Sequence, residues 1–247
     1  MPKLISISQA AKILGVAVMT LRRYDAEGVL KSVRSSPRGH RYYRHEDLED
    51  FLLRKQDLAA LARQWIIEPA DQAGGLSAQL YCQTQDIFSA RLEKLRQELA
   101  NVYQDSTIIS MVPAIAGEIG NNSFDHNLGS WPDIPGVFFG HDASKKRVVL
   151  ADRGQGVLRT IRRVRPQVAT DAEALRVAFT EMISGRAPEA RGNGLKFVRN
   201  SVMKYPLSLI FQTGDAELIL NQGMTDLDIH LAPVTFRGCL VIIDYRV

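Results

Sequence analysis

Glu118-Ile119-Gly120-Asn121-Asn122-Ser123-Phe124-Asp125-His126-Asn127 is a run of polar side chains set into an otherwise apolar helical pattern. At 100° per residue, Glu118, Asn122 and Asp125 fall within about 60° of one another. Val112, Ala116, Ile119 and Ser123 form the neighbouring apolar or small-residue stripe. One face packs and the other presents oxygens. A carboxylate and an amide one turn apart could hold a water and a hard cation, because Mg²⁺ takes oxygen ligands and favours sites shared with substrate phosphates. Taken alone, the segment fits an ordinary half-exposed helix at least as well.

Two later stretches change the balance. Arg147-Val148-Val149-Leu150-Ala151-Asp152 has the apolar run of a buried strand and leads into Asp152-Arg153-Gly154-Gln155-Gly156. Beyond it, Arg191-Gly192-Asn193-Gly194-Leu195 opens a helical pattern that runs through Phe197 and Val198. Glycine pairs are common in tight turns, so the order carries the information: ExxxN on a helix, DxGxG at a strand end, GxGL at a helix start.

That order resembles the ATP-binding fold of the GHKL superfamily, over roughly residues 108–247. The superfamily groups gyrase, the heat-shock chaperone ATPase, histidine kinases and the DNA mismatch-repair ATPase. The resemblance implies ATP and Mg²⁺ as ligands, with Asn122 binding the metal through its side-chain oxygen and Asp125 on the same polar face. It implies that Asp152, an acceptor-only carboxylate, takes a hydrogen bond from the adenine amino group. Gly154 and Gly156 would let the backbone approach the base. Arg191, Gly192, Gly194, Leu195 and Lys196 would lie at the phosphates, where helix-start amides suit anions. Glu118 matches the general base of those members that have one. Histidine kinases usually lack that glutamate, so its presence leans toward ATP hydrolysis or toward kinases of the anti-sigma-factor type.

The chain is 247 residues long, with 45% hydrophobic and 23% charged residues. These values suit a globular protein of two domains with a substantial core. No apolar run approaches the length of a membrane span, and no hydrophobic signal core follows the N-terminus, so the expected compartment is the cytoplasm. Cys82 and Cys239 stand far apart, and the five histidines are scattered, which suggests neither a disulfide framework nor a zinc site. The net charge of +4 is asymmetric: residues 1–56 hold 11 Lys and Arg against 6 Asp and Glu, the remainder 20 against 21. A basic excess confined to one end is expected if that end alone meets a polyanion.

At that end, Ser8 signals a helix cap, and a short helix carrying Ala11 and Leu14 inward stops at Gly15. A second short helix, from Met19 to Gly28, completes a helix-turn-helix pattern. A hairpin follows with its tip at residues 35–40, returning through Arg41-Tyr42-Tyr43-Arg44. From Arg22 to Arg44 there are seven Lys or Arg against two acids, interleaved with tyrosines. Thr20-Leu21-Arg22-Arg23-Tyr24, Gly28-Val29-Leu30 and Gly39-His40-Arg41-Tyr42-Tyr43 resemble the winged helix-turn-helix of the mercury-resistance regulator (MerR) family and its excisionase relatives. The resemblance implies double-stranded DNA as partner. Thr20, Arg22, Arg23 and Tyr24 would lie on the helix in the major groove, and Arg38, Arg41 and Tyr42 on a wing at the phosphates.

The remaining pattern predicts a helix over residues 46–67, a linker at 69–75 and a further helix over 77–103. The imperfect heptads of that last helix suit either a homodimer contact or packing against the chain's own sheet. It contains no histidine, which argues against an autophosphorylating sensor kinase. Residues 157–190 occupy the place of the superfamily's ATP lid and include Arg159, Arg162, Arg163, Arg165 and Arg186, each read more readily as a solvated arginine than as a phosphate ligand. Strands are expected at 207–212, 216–221, 228–231 and 239–245.

The expected fold class is α+β: a winged helix-turn-helix domain (1–68), a helical segment suited to dimerisation (69–106) and a GHKL-type α/β sandwich (107–247) with a mixed sheet and helices on one face. Three functions fit the reading. The first is a transcriptional regulator whose ATP- and Mg²⁺-binding domain modulates DNA binding. The others are an ATPase or anti-sigma-type kinase acting on a partner protein, and an excisionase-like DNA binder with a nucleotide-inactive dimerisation domain.

Overall fold

The computed structural model describes residues 3–36, 39–53, 56–181 and 193–246, and the chain divides into two units, Met1–Asp57 and Leu58–Val247. In the first, Ser6 rather than Ser8 caps α1 (Ile7–Leu14): its hydroxyl accepts from the Gln9 amide while the Gln9 side chain accepts from the Ser6 amide. The helix ends at Gly15, whose φ of 62° lets its N–H return to the last carbonyls. Strand β1 (Leu4–Ser6) precedes α1, and α2 (Val18–Ala26) follows the turn. The expected hairpin is mostly loop. β2 (Tyr42–Arg44) takes β1 as its antiparallel partner, and among the described residues a single isolated bridge, Val33 to Tyr42, joins the two arms of the wing. α3 (His45–Leu53) closes the unit over a core of Ala10, Leu21, Leu30, Tyr43, Leu48 and Phe51. The Tyr43 hydroxyl, buried in that core, donates to the Leu21 carbonyl at 3.2 Å.

The second unit begins with α4 (Leu58–Ile67), which the sequence reading joined to α3 and assigned to the DNA-binding domain. Its Leu58, Ala62, Trp65 and Ile66 are buried in the second unit, and Leu58 and Ile66 are each worth about 1.5–3 kcal/mol when removed from water. That burial draws the boundary back from 68 to 57. A 3-10 turn (Ala73–Gly75) leads to β3 (Tyr81–Cys82), then α5 (Gln85–Val102) and α6 (Ser106–Asn127). Strands β4 (Val137–Asp142) and β5 (Arg147–Asp152) form a hairpin, followed by α7 (Val157–Arg162), α8 (Asp171–Thr180) and α9 (Gly194–Lys204). The four expected C-terminal strands are two long ones, β6 (Leu207–Asn221) and β7 (Asp228–Tyr245), paired across register shifts around Gly214.

The sheet order is β3-β4-β5-β7-β6, and every described pairing is antiparallel where a mixed sheet was expected. Strand alternation sorts the packing. Val148, Leu150, Val241 and Ile243 face a core shared with Phe88 and Leu95 of α5, Ile115 and Ile119 of α6, Phe179 of α8 and Val198 of α9. The opposite face carries α4, with the Trp65 and Phe138 ring centroids 6.4 Å apart. Helices therefore cover both faces of this α+β sandwich, not one. Of the two uses open to α5, packing inside the chain takes Phe88, Leu95 and Leu99, all fully buried. No helix among the described residues is long and apolar enough to cross a membrane.

Gly120 sets the approach of α5 to α6, because a Cβ there would fall onto the Phe88 ring. Phe88 is held between Phe124 and Phe139, at centroid distances of 6.0 and 5.4 Å, and cannot swing away cheaply. Gly120→Ala is therefore expected to destabilise the protein by about 2 kcal/mol despite the better helix former. Denaturant unfolding read by near-ultraviolet circular dichroism checks it.

Candidate functional site

Each unit carries one candidate surface. On α2 the side chains of Met19, Arg22, Arg23 and Ala26 are exposed, a stripe at helical spacing. Thr20 is half-buried, and Tyr24 turns its ring onto Phe51 at 5.4 Å, so Tyr24 supports the helix from behind. Tyr42 is exposed on β2. Arg41 donates to Asp25 at 2.8 Å, and Arg34 binds the same carboxylate. Ser32 completes the knot through its amide and hydroxyl, at 2.8 and 2.9 Å. Burial works against the Asp25 charge, but Arg41, Ser32 and Arg34 together hold its carboxyl far below the usual range. Arg41 is therefore a strut of the wing root as well as part of the basic surface. Arg38 lies outside the described residues.

In the second unit, α6 brings two of the three sequence clusters together. The Ser123 hydroxyl donates to Asp152 Oδ2 at 2.7 Å, so the polar end of α6 and the end of β5 meet on one side of the sheet. The Gly154 amide donates to Asp152 Oδ1 at 2.8 Å. Asp152 is 2% exposed. Its burial raises the carboxyl pKa, against the pull of Ser123, Gly154 and Cys239. The start of α9 closes on the same helix: a Cβ on Gly194 would strike the Glu118 carboxylate and lie 3.8 Å from Asn122 Nδ2. Glu118 is exposed; Asn122 and Asp125 are half-buried beside it. Asn193 supplies no side-chain cap to α9, and helix-start amides suit anions. Leu195 packs against the core and Lys196 is half-buried. Arg191, Gly192 and Arg186 lie outside the described residues. Among the described residues no three His, Cys, Asp or Glu side chains gather as a metal site.

The glycines after Asp152 serve the fold. The space a side chain would need at Gly154 is filled by the Asn127 amide, which accepts from the Gln155 N–H at 2.8 Å. At Gly156, with φ of 78°, a Cβ would sit 3.2 Å from Thr213 Oγ1. The two variable positions of the motif carry what the sequence reading passed over. Arg153, 5% exposed, donates to the Trp65 and Ile66 carbonyls at the end of α4 and forks onto Asp133 at 3.2 and 2.9 Å. Its guanidinium also lies 5.8 Å from the Trp65 ring centroid. Gln155 holds Ser130 and Arg163. Ser123 and Asn127, one turn apart, were the legible signal for the α6 side of this turn.

The arginines of the expected lid are mostly engaged within the chain. Arg162 donates to the carbonyls of Val168 and Ala169, Arg163 to Gln155, and Arg165 pairs with Glu181 at 3.6 Å. Arg159 is exposed.

Residues 5–56 match the model of the MerR HTH family regulatory protein. A 38-residue stretch is 55% identical to the excisionase of Mycobacterium phage D29, covering 15% of this chain and 68% of the excisionase. A 46-residue stretch is 46% identical to the type II methyltransferase M.Eco47II of Escherichia coli, covering 19% of this chain and 11% of the methyltransferase. Among solved structures, the 43K ATPase domain of Thermus thermophilus gyrase B, in complex with an aminocoumarin, aligns at 16% identity with a TM-score of 0.33. That alignment covers 63% of this chain and 39% of the gyrase chain. The chain thus spans a small part of the methyltransferase and well under half of the gyrase chain.

Removing Arg153 leaves two helix-end carbonyls without their donor and Asp133 with Arg237, at 2.6 Å, and the Ile134 amide. Arg153→Ala is expected to lower stability by about 3 kcal/mol. Burial favours a neutral Asp133, but Arg153, the Ile134 amide and Arg237 outweigh it and depress its pKa. The stability Asp133 contributes is therefore full above the unfolded value of about 3.9 and is lost as pH falls through the lower folded value. Unfolding midpoints measured from pH 7 downward should fall less steeply in the variant than in the parent.

Proposed function

The chain belongs, through residues 5–56, to the MerR family of helix-turn-helix regulatory proteins; on that premise we propose that it is a cytoplasmic transcriptional regulator in which an ATP-binding second unit modulates DNA binding. Arg22 and Arg23 enter the major groove on α2, and the wing carrying Arg41 and Tyr42 rests on phosphates. Two copies of the chain engage paired half-sites.

The observation that carries the nucleotide half is the convergence on α6: Ser123 holds Asp152, and Glu118 and Asn122 border the uncapped start of α9. The donor set fits an adenine nucleotide. Asp152 already accepts from Ser123 and Gly154 and interacts with Cys239, so a base amino group would share Oδ2 with the Ser123 hydroxyl or replace it. The α9 amides and Lys196 would take phosphate oxygens. Mg²⁺ would supply charge neutralisation at the phosphates, with Asn122 as its protein ligand and the rest of its shell drawn from phosphate and water. Differential affinity for nucleotide between two arrangements of the chain is what regulation would require.

Glu118, exposed at the α9 start, favours a second reading in which ATP is turned over, by hydrolysis or by transfer to a partner protein. Glu118→Gln that binds ATP but releases no phosphate would single out this reading. An excisionase-like binder with a nucleotide-inactive domain would bind DNA and ignore ATP throughout.

Two measurements test the proposal. ATP with Mg²⁺ at 100 times its dissociation constant should add about 2.7 kcal/mol of stability, seen as a raised melting temperature. Asp152→Asn should fold, its Oδ1 accepting from the Gly154 amide and its Nδ2 donating to the Ser123 hydroxyl, and show no such rise; an unchanged rise would remove Asp152 from the site. For the DNA half, Arg22→Ala with Arg23→Ala should lower the magnitude of the salt slope of binding by about 2, one phosphate-equivalent for each arginine. A slope that stays put would move the interface off α2.

A further inference from the structure

Met19 is the most exposed large apolar side chain described in the first unit, at 68%. Single apolar residues scattered over a surface need no account, but this one lies inside the basic stripe of α2. It sits in the first turn of that helix, with Arg22 Nη1 3.8 Å from its sulfur, and Arg23 and Ala26 continue the same face. Residues at the start of a recognition helix are those that reach base edges. Ala17, ahead of that turn, offers no side-chain cap, so the first amides of α2 also point toward whatever the helix meets.

From this placement we infer that Met19 is a specificity-determining residue that reads thymine through its 5-methyl group. The inference rests on the DNA-binding reading of α2 and adds to it a base-selective contact. Among major-groove edges, thymine alone presents a methyl, and apolar side chains recognise it by contact. Arg22 and Arg23 neutralise phosphates or bind guanine. Neither can tell thymine from uracil. A flexible thioether packed on a methyl can, because the contact removes both apolar surfaces from water. Met19 lies away from the core residues of its unit, so its truncation leaves the fold untouched.

The probe is a pool of duplexes with a randomised core, from which the full chain selects its preferred sequence. Each thymidine in the selected duplex is then replaced in turn by deoxyuridine, which keeps base pairing and removes only the methyl. The expected result is a thymine enriched at a fixed position in each half-site, whose replacement weakens parental binding roughly fourfold, the weight of one methyl group. Met19→Ala should bind the thymidine and deoxyuridine duplexes equally, at the weakened level, with an unchanged salt slope. Met19→Leu should restore the difference. If no deoxyuridine replacement weakens the parent, or if the same loss persists in Met19→Ala, the inference falls while the DNA-binding reading stands. A chain that retains no duplex from the pool would overturn that reading itself, and the inference with it.

Discussion

Consecutive side chains of a strand leave on opposite faces, and at the end of β5 this rule sets Asp152 beneath α6 and Arg153 beneath α4. Each is a charged group out of water, and each needs partners. Burial makes the Asp152 carboxyl hold its proton more tightly than usual, and its neutral donors offset that only in part. Arg153 has a carboxylate, two carbonyls and an indole ring. The two pins share one peptide bond. α4, which Arg153 holds, is the first element of the second unit. A regulatory reading needs an element of this kind, contiguous and biased from both ends.

The helix-turn-helix was legible because its signals are local: short apolar periods, Gly15 in the left-handed region, and tyrosines spaced among arginines. The cap moved from Ser8 to Ser6 because both are serines, and only Ser6 has Gln9 three residues on to return the hydrogen bond. The break between α3 and α4 was hidden because the apolar spacing continues across it while the burial partners change. β3 and β4 were missed for different reasons. β3 has two residues, and the run of β4 is interrupted by Gly140, whose missing side chain is the space that Leu58 occupies. Four short strands merged into two because a bulge at Gly214 looks, in sequence, like a turn.

At the candidate site, the ordered clusters gave Glu118, Asn122, Asp152 and Gly194, and the chain brings them to one side of the sheet. Their neighbours were harder to see. Arg153 and Gln155 fill the positions a motif leaves free, and nothing in the period of a strand announces that an arginine will be buried. Gly154 and Gly156 have a packing reason the motif did not announce, since a Cβ at either would press on Asn127 of α6 or Thr213 of β6.

The Asp25 knot has a consequence for the thermodynamics of recognition. Two arginines and a serine from the wing root are fastened to one carboxylate on α2. Wing and recognition helix therefore arrive at a surface with their separation already fixed. Loops that order only on contact give up roughly 0.5–1.5 kcal/mol for every long side chain they immobilise. Here the ordering of the wing root is completed when the chain folds, and a duplex bound as proposed would not have to supply it.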